Sequence, residues 1–182
     1  MATETTLMTA EEYAKLHPDS DSELVRGVVI ETVRPGGRHG EVCSNVVIEV
    51  GVWARANQAG TVVCNDSGVI TERNPDTVRG LDAYFISTDR IPDEGLPEGW
   101  LEIPPDLCVE VLSPNDRWND VLAKTSEYLT MGVREVWIVD PEEAGVHIYV
   151  ADAPPRDVRS GATLSSPILP GFASDPKAFF EA

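Results

Sequence analysis

Residues 105–141 read PDLCVEVLSPNDRWNDVLAKTSEYLTMGVREVWIVDP, and the order of patterns in this stretch decides the fold class. Asp106 to Leu112 is a nearly continuous apolar run, as expected of a strand buried on both faces, and Glu110 interrupts it. Ser113-Pro114-Asn115-Asp116 supplies turn and N-cap chemistry for a helix through Val121, Leu122, Tyr128 and Leu129, which Gly132 closes. Glu135 to Asp140 is a second buried strand. Strand, helix and strand in this order make a crossover unit, so the two strands are expected to run parallel in one sheet of a mixed α/β fold.

Toward the N-terminus lie three further β-rich stretches, TVVC (61–64), GVITE (68–72) and LDAYFI (81–86). Asn74-Pro75-Asp76 forms the turn before the last of them, and together they predict a meander. Before them, Val42/Cys43, Val46/Val47, Val50 and Trp53/Ala54 recur at the spacing of a helix with one buried face, with Gly60 placed to stop it. SELVRGVVIETV (22–33) reads as a hairpin turning at Arg26-Gly27, and Thr9 to Glu12 as a capping box opening a short helix through Tyr13 and Leu16 that Pro18 ends. Beyond Pro141, VHIYV and the segments near Arg156 to Leu164 predict antiparallel edge strands, and Asp175 to Phe180 a terminal helix.

With 182 residues, 42% of them hydrophobic and 25% charged, the chain has the means to build one ordinary core, so a single domain over 1–182 with its core at 38–140 is expected. No stretch approaches the roughly 18 consecutive apolar residues of a membrane span, and MATETTLMTAEEY lacks the basic-then-apolar order of a secretion signal, which predicts a cytoplasmic protein without a membrane partner. Cys43, Cys64 and Cys108 are odd in number and lack CxxC spacing, so buried free thiols are expected rather than disulfides or zinc. The net charge of −17 opposes non-specific attraction to a polyanion. Salt screens that field within about 8 Å, so a local basic groove or a bound cation could still overcome it.

Glu110 demands an explanation first, because a carboxylate inside DLCVEVL is costly to bury unless it is paired, protonated or bound to a cation. Read alone, it is equally consistent with a side chain pointing to a polar edge or neutralised by an arginine. Asp82 opens the apolar strand LDAYFI, and two strands carrying one inward carboxylate each bring like charges together, for which a divalent cation is the usual remedy. Hard oxygen ligands suit Mg²⁺ or Mn²⁺, ions that also bind substrate phosphate. Lys124, on the helix after the Glu110 strand, could polarise a water or hold a phosphate; a solvated helix-surface lysine is the alternative. Ser113 has no histidine in an elbow motif and gives no serine hydrolase, while Asp89 to Glu98 and Glu142-Glu143 read as solvated loops.

The stretch from Pro105 to Pro141 closely resembles the large bacterial Uma-two family of restriction-endonuclease-like proteins, a branch of the PD-(D/E)XK nuclease superfamily. The resemblance extends to ELVRGVVIE (23–31), RHGEV (38–42), DTVRGLDAYFIS (76–87) and LPGF (169–172). It implies a restriction-endonuclease-like mixed sheet with flanking helices, to which the N-terminal hairpin and C-terminal edge strands are additions. By position it implies Asp82 and Glu110 as metal ligands, with the carbonyl of Val111 as a third. Two positions depart from the pattern: Leu81 stands where the family usually has proline, and Leu112 where superfamily nucleases place the catalytic lysine. Lys124 is the natural relocated partner. His39 and Glu23 also match family positions. His39 at a helix start could contact phosphate or water or be a surface residue; Glu23 could be a third acid near the metal or simply a hairpin charge. His17 and His147 have no such context and read as structural.

The expected function is therefore Mg²⁺- or Mn²⁺-dependent hydrolysis of phosphodiester bonds in DNA by Asp82, Glu110 and Lys124. The alternatives are a catalytically silent binding or assembly module on the same scaffold, and a hydrolase of smaller phosphate esters. A homodimer is plausible for double-strand cleavage, with an edge strand or Trp118 as the contact.

Overall fold

The computed structural model describes residues 7–17, 21–114 and 116–181. A short helix α1 (Ala10–Leu16) precedes a hairpin, β1 (Ser22–Val25) and β2 (Val28–Glu31), and the long helix α2 (Gly37–Ala56). Two long strands, β3 (Gly60–Glu72) and β4 (Thr77–Ser87), a 3₁₀ turn and β5 (Leu107–Val111) follow. Then come α3 (Trp118–Met131), β6 (Glu135–Asp140), β7 (Gly145–Tyr149), β8 (Arg156–Arg159), β9 (Leu164–Ser166), β10 (Leu169–Ser174) and α4 (Lys177–Phe180).

Eight strands form one sheet in the order β2-β1-β4-β5-β6-β7-β8, with β3 also paired to β4, while β9 and β10 pair separately. The expected parallel pair is β5 with β6, in register from Leu107↔Glu135 to Val111↔Val139; the other pairings are antiparallel. Alternation divides β5 between two cores. Leu107, Val109 and Val111 pack with Val42, Val46 and Val50 of α2, whereas Cys108 packs with Val121 and Tyr128 of α3. Glu110 shares the parity of Cys108 and so lies on the α3 side.

The β3–β4 pairing runs nearly the whole length of β4, so β1 and β5 must share its other edge. β1 meets it at Leu24↔Val78 and β5 begins at Ala83↔Val109, which leaves Arg79 to Asp82 facing a gap between the two strands.

The hairpin turn is as expected. Arg26 and Gly27 both have positive φ (49° and 76°), and a Cβ on Gly27 would lie 2.6 Å from that of Leu7. The capping box of α1 is formed by Thr9 and Glu12; Pro18 and Asn115, given turn or cap roles above, lie outside the described residues.

Four expectations need correction. TVVC and GVITE are one strand, β3, joined through a bulge at Cys64–Ser67 where Asn65 and Asp66 adopt positive φ; the meander is completed by β5. Helix α2 ends at Ala56 rather than at Gly60, because Asn57 folds back onto the Trp53 carbonyl and Gln58 turns left-handed (φ 50°). Gly60 instead opens β3, where a Cβ would sit 2.1 Å from the Ile86 carbonyl oxygen. Asp116 does not cap α3: its carboxylate accepts from the Ser113 amide at 2.7 Å, and Arg117 occupies the N-cap without a side-chain cap. Finally, Cys64 is exposed and Cys43 half-buried, leaving only Cys108 as a buried thiol, because Cys64 lies on the edge strand β3 whereas Cys108 lies on β5 between two neighbouring strands. No helix among the described residues is long and apolar enough to cross a membrane.

Candidate active site in the gap between β1 and β5

The gap gathers charge from every element around it. Strand β1 supplies Glu23, β4 supplies Arg79 and Asp82, and β5 supplies Glu110. Helix α3 presents Lys124, Glu127 and Tyr128, which at spacings of three and four residues fall on one face. Helix α2 contributes His39 from its first turn.

Half of this charge is paired. Arg79, only 7% exposed, donates to Glu23 Oε2 at 2.8 Å and forks onto both oxygens of Glu127 at 2.8 and 2.6 Å. Lys124 Nζ donates to Glu23 Oε1 at 2.9 Å. Two acids and two bases thus close a network. Glu23 is buried and doubly paired, so it is not a solvated hairpin charge; nor is Lys124 a free surface lysine, since burial opposes its charge but Glu110 and Glu23 hold its pKa above the ordinary value.

Asp82 and Glu110 are left over. Beyond Ala83↔Val109 the strand pairing stops, and the Val111 amide instead donates to Asp82 Oδ2 at 2.7 Å. His39 Nε2 lies 3.2 Å from the same oxygen. Hydrogen bonding to Asp82 raises the His39 pKa against partial burial, with the Asp82 charge and the Val111 backbone adding to it. Tyr128, fully buried, donates its hydroxyl to Glu110 Oε1 at 2.5 Å. Burial pushes Glu110 up to about 7, with Asp82 and Glu23 contributing, although Lys124 and Tyr128 oppose the rise. Asp66, at the bulge, is also held above its ordinary value by burial and by the charge of Asp82.

These residues fit a divalent cation. The two carboxylates meet in one gap with only one oxygen of each engaged, and among the described residues neither Asp82 Oδ1 nor Glu110 Oε2 takes part in a hydrogen bond. His39, Cys43 and Asp82 also offer donor atoms within 4.8 Å of one another. Burial holds the Cys43 thiol protonated, however, and His39 Nδ1 faces it at 3.4 Å, so the hard oxygens are the better donors.

Of the residues singled out from sequence, Asp82, Glu110, Val111, Lys124, Glu23 and His39 all meet in this gap. Arg79, Glu127, Tyr128 and Asp66 were missed. Like Glu110, Arg79 in TVRGLDAYFI is a charge inside an apolar strand, and Glu127 stands three residues from Lys124. Asp66 gave no signal, since a bulge brings it in.

The Uma2 family model, described as "Putative restriction endonuclease", matches residues 10–177. No curated protein matches the chain. Among solved structures, it is similar to the crystal structure of a "putative nuclease belonging to DUF820" from Anabaena variabilis, with 22% identity and a TM-score of 0.82 over 95% of this chain and 97% of the other. That likeness establishes a shared fold, a mixed α/β sheet with flanking helices. With the family model covering the sheet, both flanking helices and every residue of the charged gap, the chain belongs to the Uma2 family of restriction-endonuclease-like proteins.

Proposed function

We propose that this protein is a divalent-metal-dependent endonuclease that hydrolyses phosphodiester bonds in DNA. The observation that carries the reading is the convergence of Asp82 and Glu110 in a gap where the neighbouring charges are already paired. Asp82 and Glu110, with the carbonyl of Val111, would hold Mg²⁺ or Mn²⁺. Such an ion supplies Lewis-acid polarisation of a phosphoryl oxygen and lowers the pKa of a bound water.

The chain's own residues divide the remaining tasks. Lys124, charged and fixed by Glu23, offers an ammonium to a phosphate oxygen or a water. Glu23 is itself pinned by Arg79, so its role is to position Lys124. His39 adds a group whose charged form is favoured, at a helix start where free amides favour anions. Tyr128 engages Oε1 of Glu110 and leaves Oε2 to a ligand. We place this activity in one cytoplasmic unit spanning the chain, acting on duplex DNA as a homodimer.

Leu112 favours a second reading, a binding or assembly module. At the position where the superfamily has its lysine, this apolar side chain packs against the core under α3. Incubation with plasmid and oligonucleotide DNA in Mg²⁺ or Mn²⁺, against a chelator control, separates the two. Metal-dependent cutting that disappears in Asp82→Ala and Glu110→Ala supports the nuclease. Wild type as inert as both variants, with no Mn²⁺ bound, supports the module.

A further inference from the structure

We propose a second metal site, for a transition-metal ion such as Zn²⁺, at the β6–β7 hairpin, built from His147, Asp140 and Glu143. It is independent of the nuclease reading, because none of its residues belongs to the gap between β1 and β5.

The hairpin register, Ile138↔His147 and Asp140↔Gly145, puts Asp140 and His147 on the same face, and the tight turn brings Glu143 back toward them. Asp140 is buried, and its Oδ1 accepts from the amides of Glu142 and Glu143 at 2.8 and 3.0 Å, which fixes the carboxylate. Its Oδ2 faces Nε2 of His147 at 3.8 Å. On the far side of the ring, Nδ1 meets Oδ1 of Asp157, from the neighbouring strand β8, at 2.7 Å.

Asp157 is an acceptor, so Nδ1 carries the proton and Nε2 of the neutral ring presents its lone pair to a carboxylate oxygen. That atom is fully buried and has no hydrogen-bond partner among the described residues. A proton on Nε2 would not repair the contact, since 3.8 Å is too long for a hydrogen bond, and a buried N–H would stay unsatisfied. A cation between the two atoms satisfies both. Bonds of about 2.0–2.1 Å to nitrogen and oxygen let one ion reach two donors at this separation.

The donor atoms of Asp140, Glu143 and His147 all lie within 4.8 Å of one another. Glu143 pairs with Arg159, but its side chain is 57% exposed and free to swing onto an ion. A carboxylate holding the distal nitrogen of a ligating imidazole is the usual support for such a ligand, and Asp157 stands in that place. An imidazole donor distinguishes this cluster from the oxygen ligands proposed at Asp82, Glu110 and Val111 and selects Zn²⁺ or Co²⁺ over Mg²⁺. Trp118 lies edge-on to His147, with ring centroids 5.1 Å apart, and reports on it.

The test is a Co²⁺ titration of the full chain in an Asp82→Asn/Glu110→Gln background, which silences the proposed catalytic metal whether or not the protein is a nuclease. One Co²⁺ per chain is expected, displaced by Zn²⁺ and quenching a fluorescence component that Trp118→Phe removes. His147→Gln should abolish binding, and Asp157→Ala, at a half-exposed position, should weaken it by about 10–100-fold. If the background variant fails to fold, the same ion is read in wild type as the equivalent that His147→Gln removes. No bound Co²⁺, or binding that survives His147→Gln, overturns the proposal.

Discussion

The main-chain amide of Val111 donates a 2.7 Å hydrogen bond to Oδ2 of Asp82, so the residue following one candidate ligand is held by the other. Asp82→Asn keeps an acceptor oxygen and removes the charge, whereas Asp82→Ala removes both. Asn is expected to leave stability nearly unchanged, while Ala costs about 1–2 kcal/mol through the stranded amide. Both should lose Mn²⁺ binding and at least about 100-fold in DNA cleavage. Urea unfolding beside a cleavage assay checks the split, and equal stability of the two variants would contradict the tether.

Glu110 gives stability a pH dependence with a definite sign. Its folded pKa is raised, mainly by burial, from the ordinary 4.5 to about 7. Between those values the folded protein holds a proton that the unfolded chain has released, so metal-free stability should fall as pH rises through this window and then level off. Glu110→Gln should lack this component and be the more stable protein at pH 8. Urea midpoints from pH 5 to 8, wild type against variant, test it.

The same proton competes with metal. Below about 7 an ion binding at Glu110 must displace it. Mn²⁺ affinity should therefore rise by up to about tenfold per pH unit below that point and flatten above it. Calorimetry in buffers of different ionisation enthalpy counts the released proton. An affinity constant from pH 6 to 8 would remove Glu110 from the ligand set.

Arg79 and Lys124 share Glu23 but should fail differently. Arg79→Met strands Glu127, leaves Glu23 with Lys124 alone, and is expected to cost about 3–5 kcal/mol. Lys124→Met leaves Glu23 still paired with Arg79, so its structural cost should be about 1 kcal/mol while cleavage falls about 100-fold. Unchanged turnover in Lys124→Met would remove the lysine from the chemistry.

Asp106 anchors the sheet away from the site. It is 1% exposed and accepts from the amide and hydroxyl of Ser87 at 2.8 Å and from Arg90 and Arg134 at 3.1 Å. Burial opposes its charge, but these partners hold its pKa below the ordinary 3.8. Its contribution is therefore present above that value and lost as pH falls through the lower, folded one. Asp106→Ala should cost about 3 kcal/mol at neutral pH, and the gap to wild type should narrow in acid. Thermal unfolding at pH 7 and pH 3 measures both.

The sequence by itself determined the elements that local chemistry dictates. The apolar runs of β5 and β6, the helical period of α3 and Gly132 with its φ of 107° specified the parallel unit, because periodicity and a left-handed stop are properties of neighbouring residues. Glu110 and Asp82 stood out for the same reason, as charges inside apolar strands. Tertiary structure alone decided what surrounds them. The bulge that merges β3 and brings in Asp66, and the sharing of one edge of β4 by β1 and β5, depend on pairings between distant segments. So does the pairing that turned Glu23 from a hairpin charge into a buried partner of Arg79 and Lys124. A charge's energy is set by its neighbours in space, and the chain order does not contain them.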